Sequence, residues 1–333
     1  MYSLLHHNTF GIDVQCRDFF EYTTVSQLLE RLPQLRQGKW LHIGSGSNLV
    51  FVHDFEGTIV HSAIQGMEVQ RQTDEFVWLR VGAGQVWDDF VAECVARGYC
   101  GLENLSLIPG EVGAAAVQNI GAYGAEVSQF IDTVEAVRVS TGKLCELRGC
   151  ECQYGYRSSI FKKEQAGQYI VTHVVFKLPL RFQPDLHYGA IARELQQRNI
   201  APEAVTPAVL RNLVVEGRRA KLPDPAEMGS AGSFFMNPVV SIEVFRQLQQ
   251  QYPDMPHYEV ENGVKVPAGW LIEQCGWKGR GIGPAGVYDK QALVLVNLGG
   301  ATGADILRLA RQVQADVKQR FGIDIIPEAN IIS

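Results

Sequence analysis

A glycine-rich loop between two apolar strands constrains the fold of this chain more than any other feature. Residues 39–43 and 49–52 have the composition of strands, and the loop between them is Gly44-Ser45-Gly46-Ser47-Asn48. A Rossmann-type loop needs a third glycine and a helix directly after it, because the helix N-terminus holds a pyrophosphate. Both features are missing here, so the loop is not of that type. Its backbone N–H groups can still bind an anion; a plain strand-to-strand turn is the alternative.

A second segment of small residues lies at 109–124. It begins Pro109-Gly110-Glu111-Val112-Gly113, continues through three alanines, and reaches Gln118-Asn119-Ile120-Gly121. Side chains this small let another surface approach the backbone closely. The amides of Gln118 and Asn119 can hydrogen-bond the edge of a heteroaromatic ring. A tightly packed internal helix remains the alternative.

Length and charge narrow the class of protein. The 333 residues are about twice a typical domain of ~150, so two or three domains are expected. A formal net charge of −6 disfavours a nucleic-acid partner. An anionic small substrate would need a local cluster of Arg and Lys. No apolar run of ~18 residues is present, so no membrane association is expected.

Cysteine usage and the first residues indicate the compartment. Seven cysteines occur without a CxxC pair or an HExxH motif, which favours reduced thiols and predicts no metal site. Residues 1–7 carry no basic segment followed by a long apolar one, so a secretory signal is not supported. We expect a cytoplasmic protein.

Periodicity and capping signals place the secondary structure. The helix that Thr24 caps should end before Pro33, and the helix opened by Thr206-Pro207 should end near Val215, with a linker at 217–225. Residues 323–326 are predicted as the last strand. The remaining predictions are helices at 86–97, 242–252, 268–275 and 306–321, a hairpin at 134–147, and strands at 76–81, 169–178 and 292–296.

Together these segments resemble the UDP-N-acetylenolpyruvoylglucosamine reductase family. The resemblance is carried by motifs that follow one another in the family's order over nearly the whole chain. Besides the two small-residue loops they are Ala122-Tyr123-Gly124, Tyr154-Gly155-Tyr156-Arg157-Ser158-Ser159-Ile160-Phe161, Gly232-Ser233-Phe234-Phe235, Asn237-Pro238, Ala268-Gly269-Trp270-Leu271-Ile272-Glu273 and Pro327-Glu328.

The resemblance implies a flavoprotein oxidoreductase of cell-wall precursor synthesis with FAD and NADPH as cofactors. A hydride would pass from NADPH to flavin N5 and then to the double bond of UDP-N-acetylglucosamine enolpyruvate, giving UDP-N-acetylmuramate. The implied fold class is α+β, a two-part FAD-binding module of the vanillyl-alcohol-oxidase type plus a separate α+β substrate-binding domain. The corresponding domains are FAD-binding subdomain 1 at 1–65 with 322–333, FAD-binding subdomain 2 at 66–217, and the substrate-binding domain at 218–321. The protein is expected to be a monomer.

Three residues are expected to carry the chemistry. Hydride addition builds negative charge on the enolpyruvyl carboxylate, and a guanidinium is the best bidentate partner for that charge. Arg157 lies among aromatic and small residues and matches the family's carboxylate-binding arginine. Ser233 matches the family's proton donor, and Glu328 matches a glutamate of the acid machinery. Without the family context, each residue has an alternative interpretation: Arg157 as a surface arginine, Ser233 as a turn or cap residue, and Glu328 as a solvated carboxylate near the C-terminus.

The family also implies binding residues. The cofactor set is Gly44, Ser45, Gly46, Ser47, Asn48, Pro109, Gly110, Gly113, Gln118, Asn119 and Gly121. The UDP-sugar set is Tyr123, Arg157, Tyr188, Lys221, Asn237, Tyr258, Lys278 and Gln291. Tyr188 suggests the type of enzyme that has a tyrosine-bearing loop over its substrate.

Some residues depart from the family pattern. Asn330 stands where an arginine usually follows Pro-Glu-Val, and Met236 stands where some relatives have lysine. Glu111 places a carboxylate beside the expected pyrophosphate loop. Two other functions stay open on the residues alone, a flavin-dependent alcohol or sugar oxidase and a non-catalytic nucleotide-sugar or flavin-binding protein.

Overall fold

A computed structural model describes residues 1–186 and 188–333, and within them the backbone forms twenty strands and eight α-helices, besides four single-turn 3-10 helices. The strands are β1 (Tyr2–Ser3), β2 (Gln15–Tyr22), β3 (Trp40–Ile43), β4 (Leu49–Phe51), β5 (Phe55–Ser62), β6 (Met67–Gln72), β7 (Phe76–Gly82), β8 (Gly121–Ala122), β9 (Ala125–Glu126), β10 (Ile131–Arg138), β11 (Leu144–Arg148), β12 (Tyr169–Pro179), β13 (Ser230–Ser233), β14 (Val239–Val240), β15 (Tyr258–Val260), β16 (Gly263–Lys265), β17 (Gly281–Ile282), β18 (Ala285–Val287), β19 (Val294–Asn297) and β20 (Asn330–Ile332). The helices are α1 (Val25–Leu35), α2 (Trp87–Ala96), α3 (Val112–Gln118), α4 (Gly189–Gln197), α5 (Pro207–Lys221), α6 (Ile242–Gln251), α7 (Ala268–Gln274) and α8 (Gly303–Phe321).

The chain divides into two compact units. Unit 1 comprises residues 1–15, 46–55 and 219–333, and unit 2 comprises residues 16–45 and 56–218. The three-part domain division made from the sequence stays a prediction. No helix within residues 1–186 and 188–333 has the length and hydropathy needed to span a bilayer.

Unit 2 is built on a five-stranded antiparallel sheet in the order β11-β10-β12-β7-β6. The predicted hairpin is confirmed, because Val134 pairs with Leu147 across it. α2 and α3 belong to the same hydrophobic cluster as the buried side chains of this sheet, in which Trp87, Phe90 and Phe176 form an aromatic centre. The sheet and these helices therefore share one core.

A smaller sheet in unit 2 aligns β2, β5 and β3, and β3 runs parallel to β5. α1 packs beside it through Leu28 and Leu32. Thr24 caps this helix as predicted, but the prediction that it stops before Pro33 is wrong, since α1 continues to Leu35. Proline removes one backbone N–H bond, and burial of Leu35 offsets that loss.

Unit 1 contains a four-stranded sheet in the order β13-β19-β18-β17 and a parallel pair formed by β20 and β4. α8 lies against both, with Ile306, Leu309 and Val313 buried along one face. Gly322 ends α8 in the left-handed conformation at φ 70, as the sequence predicts. A three-stranded sheet, β14-β16-β15, completes the unit.

Two other boundaries differ from the predictions. α5 runs to Lys221, so most of the predicted linker at 217–225 is helical. At Gly217 the missing side chain leaves room for the Tyr123 hydroxyl, which would lie 3.3 Å from a Cβ there. Residues 323–326 do not form the predicted strand. Their alternation reflects burial of Ile323 and Ile325, and the strand forms after Pro327, as β20.

The stability of unit 1 should depend on the N-terminus of α8. Thr302 Oγ1 accepts from the Asp305 N–H at 3.2 Å, and Asp305 Oδ2 accepts from the Thr302 N–H at 3.0 Å. We expect Thr302→Ala to lower the unfolding free energy by about 1 kcal/mol in urea denaturation. Thr302→Ser keeps the hydroxyl and should stay near wild type. Equal loss in both variants would contradict a role for the cap.

Candidate active site

The second small-residue loop is fixed by main-chain hydrogen bonds within unit 2. The Trp87 N–H donates to Gly110 O at 3.0 Å, while the N–H groups of Val112 and Gly113 donate to Gln85 O and Ala83 O at 2.9 Å each. Gly110 has φ 124, which favours glycine. The loop is therefore held rigidly where it enters α3, as the site for a large ligand requires.

The two small-residue loops meet inside unit 2. A Cβ on Gly44 would lie 3.1 Å from Ala114 Cβ and 3.2 Å from a Glu111 carboxylate oxygen, so the start of the first loop touches the start of α3. The neighbouring Ser45 hydroxyl is buried and has no hydrogen-bond partner among the described residues. A buried hydroxyl without a partner is costly, so these residues fit a phosphate oxygen that would accept from it.

Several candidate cofactor residues also serve the protein's own packing. A Cβ on Gly113 would lie 2.8 Å from Ala83 Cβ, and one on Gly46 would lie 2.0 Å from the His7 carbonyl oxygen. The packed-helix alternative for Gly113 is therefore supported by the contacts, without excluding a ligand nearby. The glycines are needed for the loops to exist at all.

Asn119 is engaged by the protein through its whole side chain. It lies fully buried at φ 47, its amide nitrogen donates to Glu126 Oε2 and to Gly155 O at 2.9 Å each, and its amide oxygen accepts from the Ser128 N–H at 3.1 Å. The side chain thus ties α3 to the Arg157 loop. Both its amide hydrogens are used within the protein, so the predicted contact of this side chain with a cofactor ring edge, which stays a prediction, would have to use its amide oxygen.

The carboxylate of Glu111 is paired with a histidine, His61. This carboxylate accepts from His61 Nε2 at 2.9 Å, and His61 Nδ1 lies 2.9 Å from the Glu21 carboxylate. Burial lowers the pKa of His61, but the hydrogen bonds and charges of Glu111 and Glu21 outweigh it and hold that pKa above its ordinary value. The expected conflict between Glu111 and a pyrophosphate is therefore reduced when His61 is protonated.

Arg157 is supported by the main chain of β8. Its guanidinium Nη2 donates to Gly121 O at 2.8 Å and lies over the Tyr156 ring at 5.6 Å, while its own backbone has φ 53. Gly121 makes room for it, because a Cβ there would lie 3.0 Å from Arg157 Nη1. A half-buried, oriented guanidinium of this kind can bind a carboxylate with little reorganisation.

Two predicted substrate tyrosines lie side by side in unit 2. The rings of Tyr123 and Tyr188 pack edge to face with centroids 5.6 Å apart. Burial raises the pKa of the Tyr123 hydroxyl, and Asn104 Nδ2 donates to the Tyr123 carbonyl at 2.9 Å. Tyr188 is 36% exposed at the start of α4; His187, in the same predicted loop, lies outside the described residues.

In unit 1 the predicted acid residues are brought together by the main chain. The Glu328 N–H donates to Phe234 O at 2.8 Å, directly after Ser233 at the end of β13. Asn48 Nδ2 reaches Glu328 O at 3.4 Å, and the Asn330 N–H donates to Asn48 O at 3.0 Å. Ser233, Glu328 and the last residue of the glycine-rich loop therefore share one location.

The N-terminus of α7 gathers part of the predicted UDP-sugar set. Asn237 Oδ1 accepts from the Ala268 N–H at 2.9 Å, and a Cβ on Gly269 would lie 3.0 Å from Gln291 Oε1. Lys278 Nζ lies 3.0 Å from Glu273 Oε1 on the same helix. The remaining two predicted residues, Lys221 and Tyr258, lie exposed at the end of α5 and in β15.

Sequence reasoning missed several residues that shape these sites. Arg218 donates from Nε to Leu107 O at 3.2 Å; burial lowers the pKa of its guanidinium, while the charges of Tyr123 and Asp88 oppose that shift. Its only sequence signal was the continuation of α5 beyond the predicted end. The partner His61 carries no local signal, because it pairs with Glu21 and Glu111, forty and fifty positions away in the chain.

The comparisons agree with this arrangement. Residues 23–148 match the family model of an FAD binding domain, and residues 224–332 match that of the UDP-N-acetylenolpyruvoylglucosamine reductase C-terminal domain. Fold and family models together define an FAD-binding oxidoreductase of α+β class, which confirms the predicted fold class and the FAD assignment. The chain belongs to the UDP-N-acetylenolpyruvoylglucosamine reductase family, the FAD-dependent enzymes that perform this reduction in peptidoglycan synthesis.

Relatives support the assignment over the full length. The chain is 54% identical over 333 residues to the enzyme named for this activity from Bacteroides fragilis strain YCH46, covering 99% of each chain. It is 48% identical over 328 residues to that of Burkholderia ambifaria strain AMMD, covering 98% of this chain and 94% of the relative. The crystal structure of the Thermus caldophilus reductase shares the fold at 23% identity with a TM-score of 0.69, over 99% of this chain and 97% of that one.

The close packing of Gly121 beside the Arg157 guanidinium can be tested by substitution of the glycine. A Cβ there would lie 2.8 Å from Ala125 O as well as close to the guanidinium. We expect Gly121→Ala to lower the unfolding free energy by about 1–3 kcal/mol. Gly155→Ala is the matched control in the adjacent segment, because nothing lies within 4 Å of its Cβ position. Equal denaturation midpoints for the two variants would contradict close packing at Gly121.

Proposed function

We propose that this chain reduces UDP-N-acetylglucosamine enolpyruvate to UDP-N-acetylmuramate with NADPH as the reductant. FAD, when bound, supplies the redox chemistry by accepting a hydride from NADPH and delivering it to the enolpyruvyl double bond. The observation that carries the proposal is the shared location of Ser233, Glu328 and Asn48 in unit 1, which joins the acid residues to the glycine-rich loop. Family membership favours this function over the oxidase and the non-catalytic binding protein.

The loops are assigned to the cofactor. Ser45 offers an unpartnered hydroxyl to the diphosphate, supported by the donors of Ser47 and Asn48 and by the backbone of Gly44 and Gly46. Pro109, Gly110, Gly113 and Gly121 bound the space with small surfaces, and Gln118 contributes a side-chain amide. Asn119 holds the loop in place in this proposal and contributes its position rather than its amide.

Arg157 is assigned to the substrate carboxylate. Hydride addition at the carbon next to the α-carbon moves charge onto the α-carbon and its carboxylate, and a fixed guanidinium stabilises that charge more than the ground state. The guanidinium is held by Gly121 O on one side and the Tyr156 ring on the other. It can therefore hold the substrate's carboxylate without first reorganising.

Ser233 is assigned to protonation of the α-carbon. A serine hydroxyl is a weak acid, so it needs a water-poor setting and a field that stabilises its anion. Ser233 is followed by two phenylalanines that are 0% and 1% exposed, which supplies the apolar wall. Glu328, tethered by its N–H to Phe234 O, would relay or orient the proton.

The UDP-sugar is assigned to Asn237, Gln291 and Lys278 around α7, with Lys221 and Tyr258 contributing from α5 and β15. Tyr123 and Tyr188 are also assigned to the UDP-sugar, as in the type with a tyrosine-bearing loop. We further propose that the enzyme acts in the cytoplasm as a monomer.

Removing the Ser233 hydroxyl should separate the two half-reactions. With Ser233→Ala we expect the rate of bleaching of the flavin band by NADPH to stay near wild type. The return of that band on adding the enolpyruvyl UDP-sugar should slow by roughly 100-fold or more, because a general acid is lost. Stopped-flow absorbance under anaerobic conditions measures both rates.

Ser241→Ala provides the matched control, since Ser241 caps α6 in the same unit by accepting from the Val244 N–H at 3.3 Å. Both half-reactions should keep their wild-type rates in that variant. If Ser233→Ala slowed the two half-reactions equally, Ser233 would be a structural residue and the assignment as acid would fail.

Replacing Arg157 by lysine should affect turnover far more than folding. Lysine keeps the charge but loses the two-pronged guanidinium, so we expect kcat/KM to fall by about 100-fold with little change in thermal midpoint. Arg138→Lys is the control, because Arg138 also lies over a tyrosine ring in unit 2, at 4.9 Å from Tyr169. An unchanged kcat/KM in Arg157→Lys would remove Arg157 from the mechanism.

A further inference from the structure

His61 lies beside the start of the glycine-rich loop. In the parallel pairing of β3 with β5, His61 is the partner of Ile43, and Gly44 follows Ile43 directly. Glu111, at the N-terminus of α3, reaches the same place, since one of its carboxylate oxygens would be 3.2 Å from a Cβ on Gly44. The histidine, the carboxylate and the loop are thus neighbours within unit 2.

The charges at this place depend on one proton. His61 Nε2 is 2.9 Å from Glu111 Oε1 and His61 Nδ1 is 2.9 Å from Glu21 Oε2, so a single ring bridges two carboxylates. With His61 protonated, one positive and two negative charges give a local charge of about −1; with His61 neutral it is about −2. Glu111 is 8% exposed, so water screens its charge poorly.

The other histidine and the tyrosine near His61 do not undergo this change of charge. His42 on β3 has its pKa lowered to about 3 by burial and by the charge of His61. Tyr22 on β2, hydrogen-bonded to His42 Nε2 at 2.9 Å, has a pKa that burial raises far above neutrality. Of the two histidines here, only His61 has a raised pKa, because Glu111 and Glu21 outweigh the effect of burial.

We propose that His61 is a proton-dependent counter-ion for Glu111 at the glycine-rich loop, and that FAD binds more tightly when His61 is protonated. The diphosphate of FAD stays negative throughout the neutral range. Loss of the His61 proton leaves the Glu111 carboxylate uncompensated next to Gly44, and repulsion of the diphosphate increases. This inference rests on the proposed role of the two loops in binding FAD.

The test is the pH dependence of FAD affinity in the holoenzyme. The dissociation constant is measured from pH 6 to 9 by the recovery of free-flavin fluorescence on serial dilution. In the wild type we expect it to rise about three- to tenfold with pH, the effect of one unit charge at partly screened distance. His61→Gln should be pH-independent at the weaker, high-pH value. Glu111→Gln should bind FAD at least as tightly as wild type at pH 6 and should lose less affinity than wild type by pH 9, because the carboxylate nearest the loop is gone while His61 keeps its ion pair with Glu21.

His173→Gln is the matched control. His173 also pairs with a glutamate, Glu135, at 3.4 Å, but on the five-stranded sheet of the same unit. Its variant should keep the wild-type rise with pH. If either test variant fails to fold, the wild type alone remains decisive, because the FAD profile must then coincide with the titration of the His61 ring followed by NMR, and a mismatch would overturn the proposal.

Ser45→Ala separates the proposed FAD-binding role of the loop from the counter-ion role of His61. It removes the loop hydroxyl that has no partner among the described residues and leaves the ion pair of His61 and Glu111 unchanged. Weaker FAD binding at every pH in Ser45→Ala, combined with an unaltered pH profile in His61→Gln, overturns the counter-ion and leaves the loop assignment standing. Wild-type FAD affinity in Ser45→Ala contradicts the loop assignment, and the counter-ion proposal falls with it.

Discussion

The candidate site in unit 1 depends on one constraint, the return of residues 327–332 to the glycine-rich loop and to the end of β13. Glu328 donates its N–H to Phe234 O, and Asn330 donates to Asn48 O before β20 pairs in parallel with β4. These bonds join three segments that are remote in sequence. Because they are main-chain bonds, they place the site largely independently of the side chains at these positions. Asn330, where the family usually has arginine, still serves this tether through its backbone.

The packing of the chain against itself requires small residues in the two loops. Gly46 must be glycine because the His7 carbonyl lies where its Cβ would be, and Gly113 because Ala83 does. Close packing of the protein against itself therefore brings the loops to a fixed conformation. Ser45 is the more informative residue, since packing leaves its buried hydroxyl without a partner among the described residues.

Local signals predicted much of the fold, and long-range pairing explains the errors. The caps at Thr24 and Gly322 and the hairpin that pairs Val134 with Leu147 are encoded within a few residues, and all were predicted correctly. The strand at 323–326 was wrong because its alternation reports burial, while a strand also needs a partner, which only β20 has. Motifs were enough to propose roles for Arg157 and Ser233, whereas the pairing of Glu111 with His61 joins residues fifty positions apart and has no local pattern.

The electrostatics of the chain explain how an acidic protein can be suited to anionic ligands. The net charge of −6 offers no long-range attraction. The candidate cations are instead positioned one by one, and several are already partnered: Lys278 by Glu273, and Arg157 by the Gly121 carbonyl. A phosphate bound at Lys278 would therefore compete with the Glu273 carboxylate, so its affinity there would be a difference between two ion pairs and should be modest. At Arg157 the hydrogen bond to the Gly121 carbonyl orients the guanidinium, so in the reaction we propose little reorganisation is needed when negative charge develops on the substrate carboxylate.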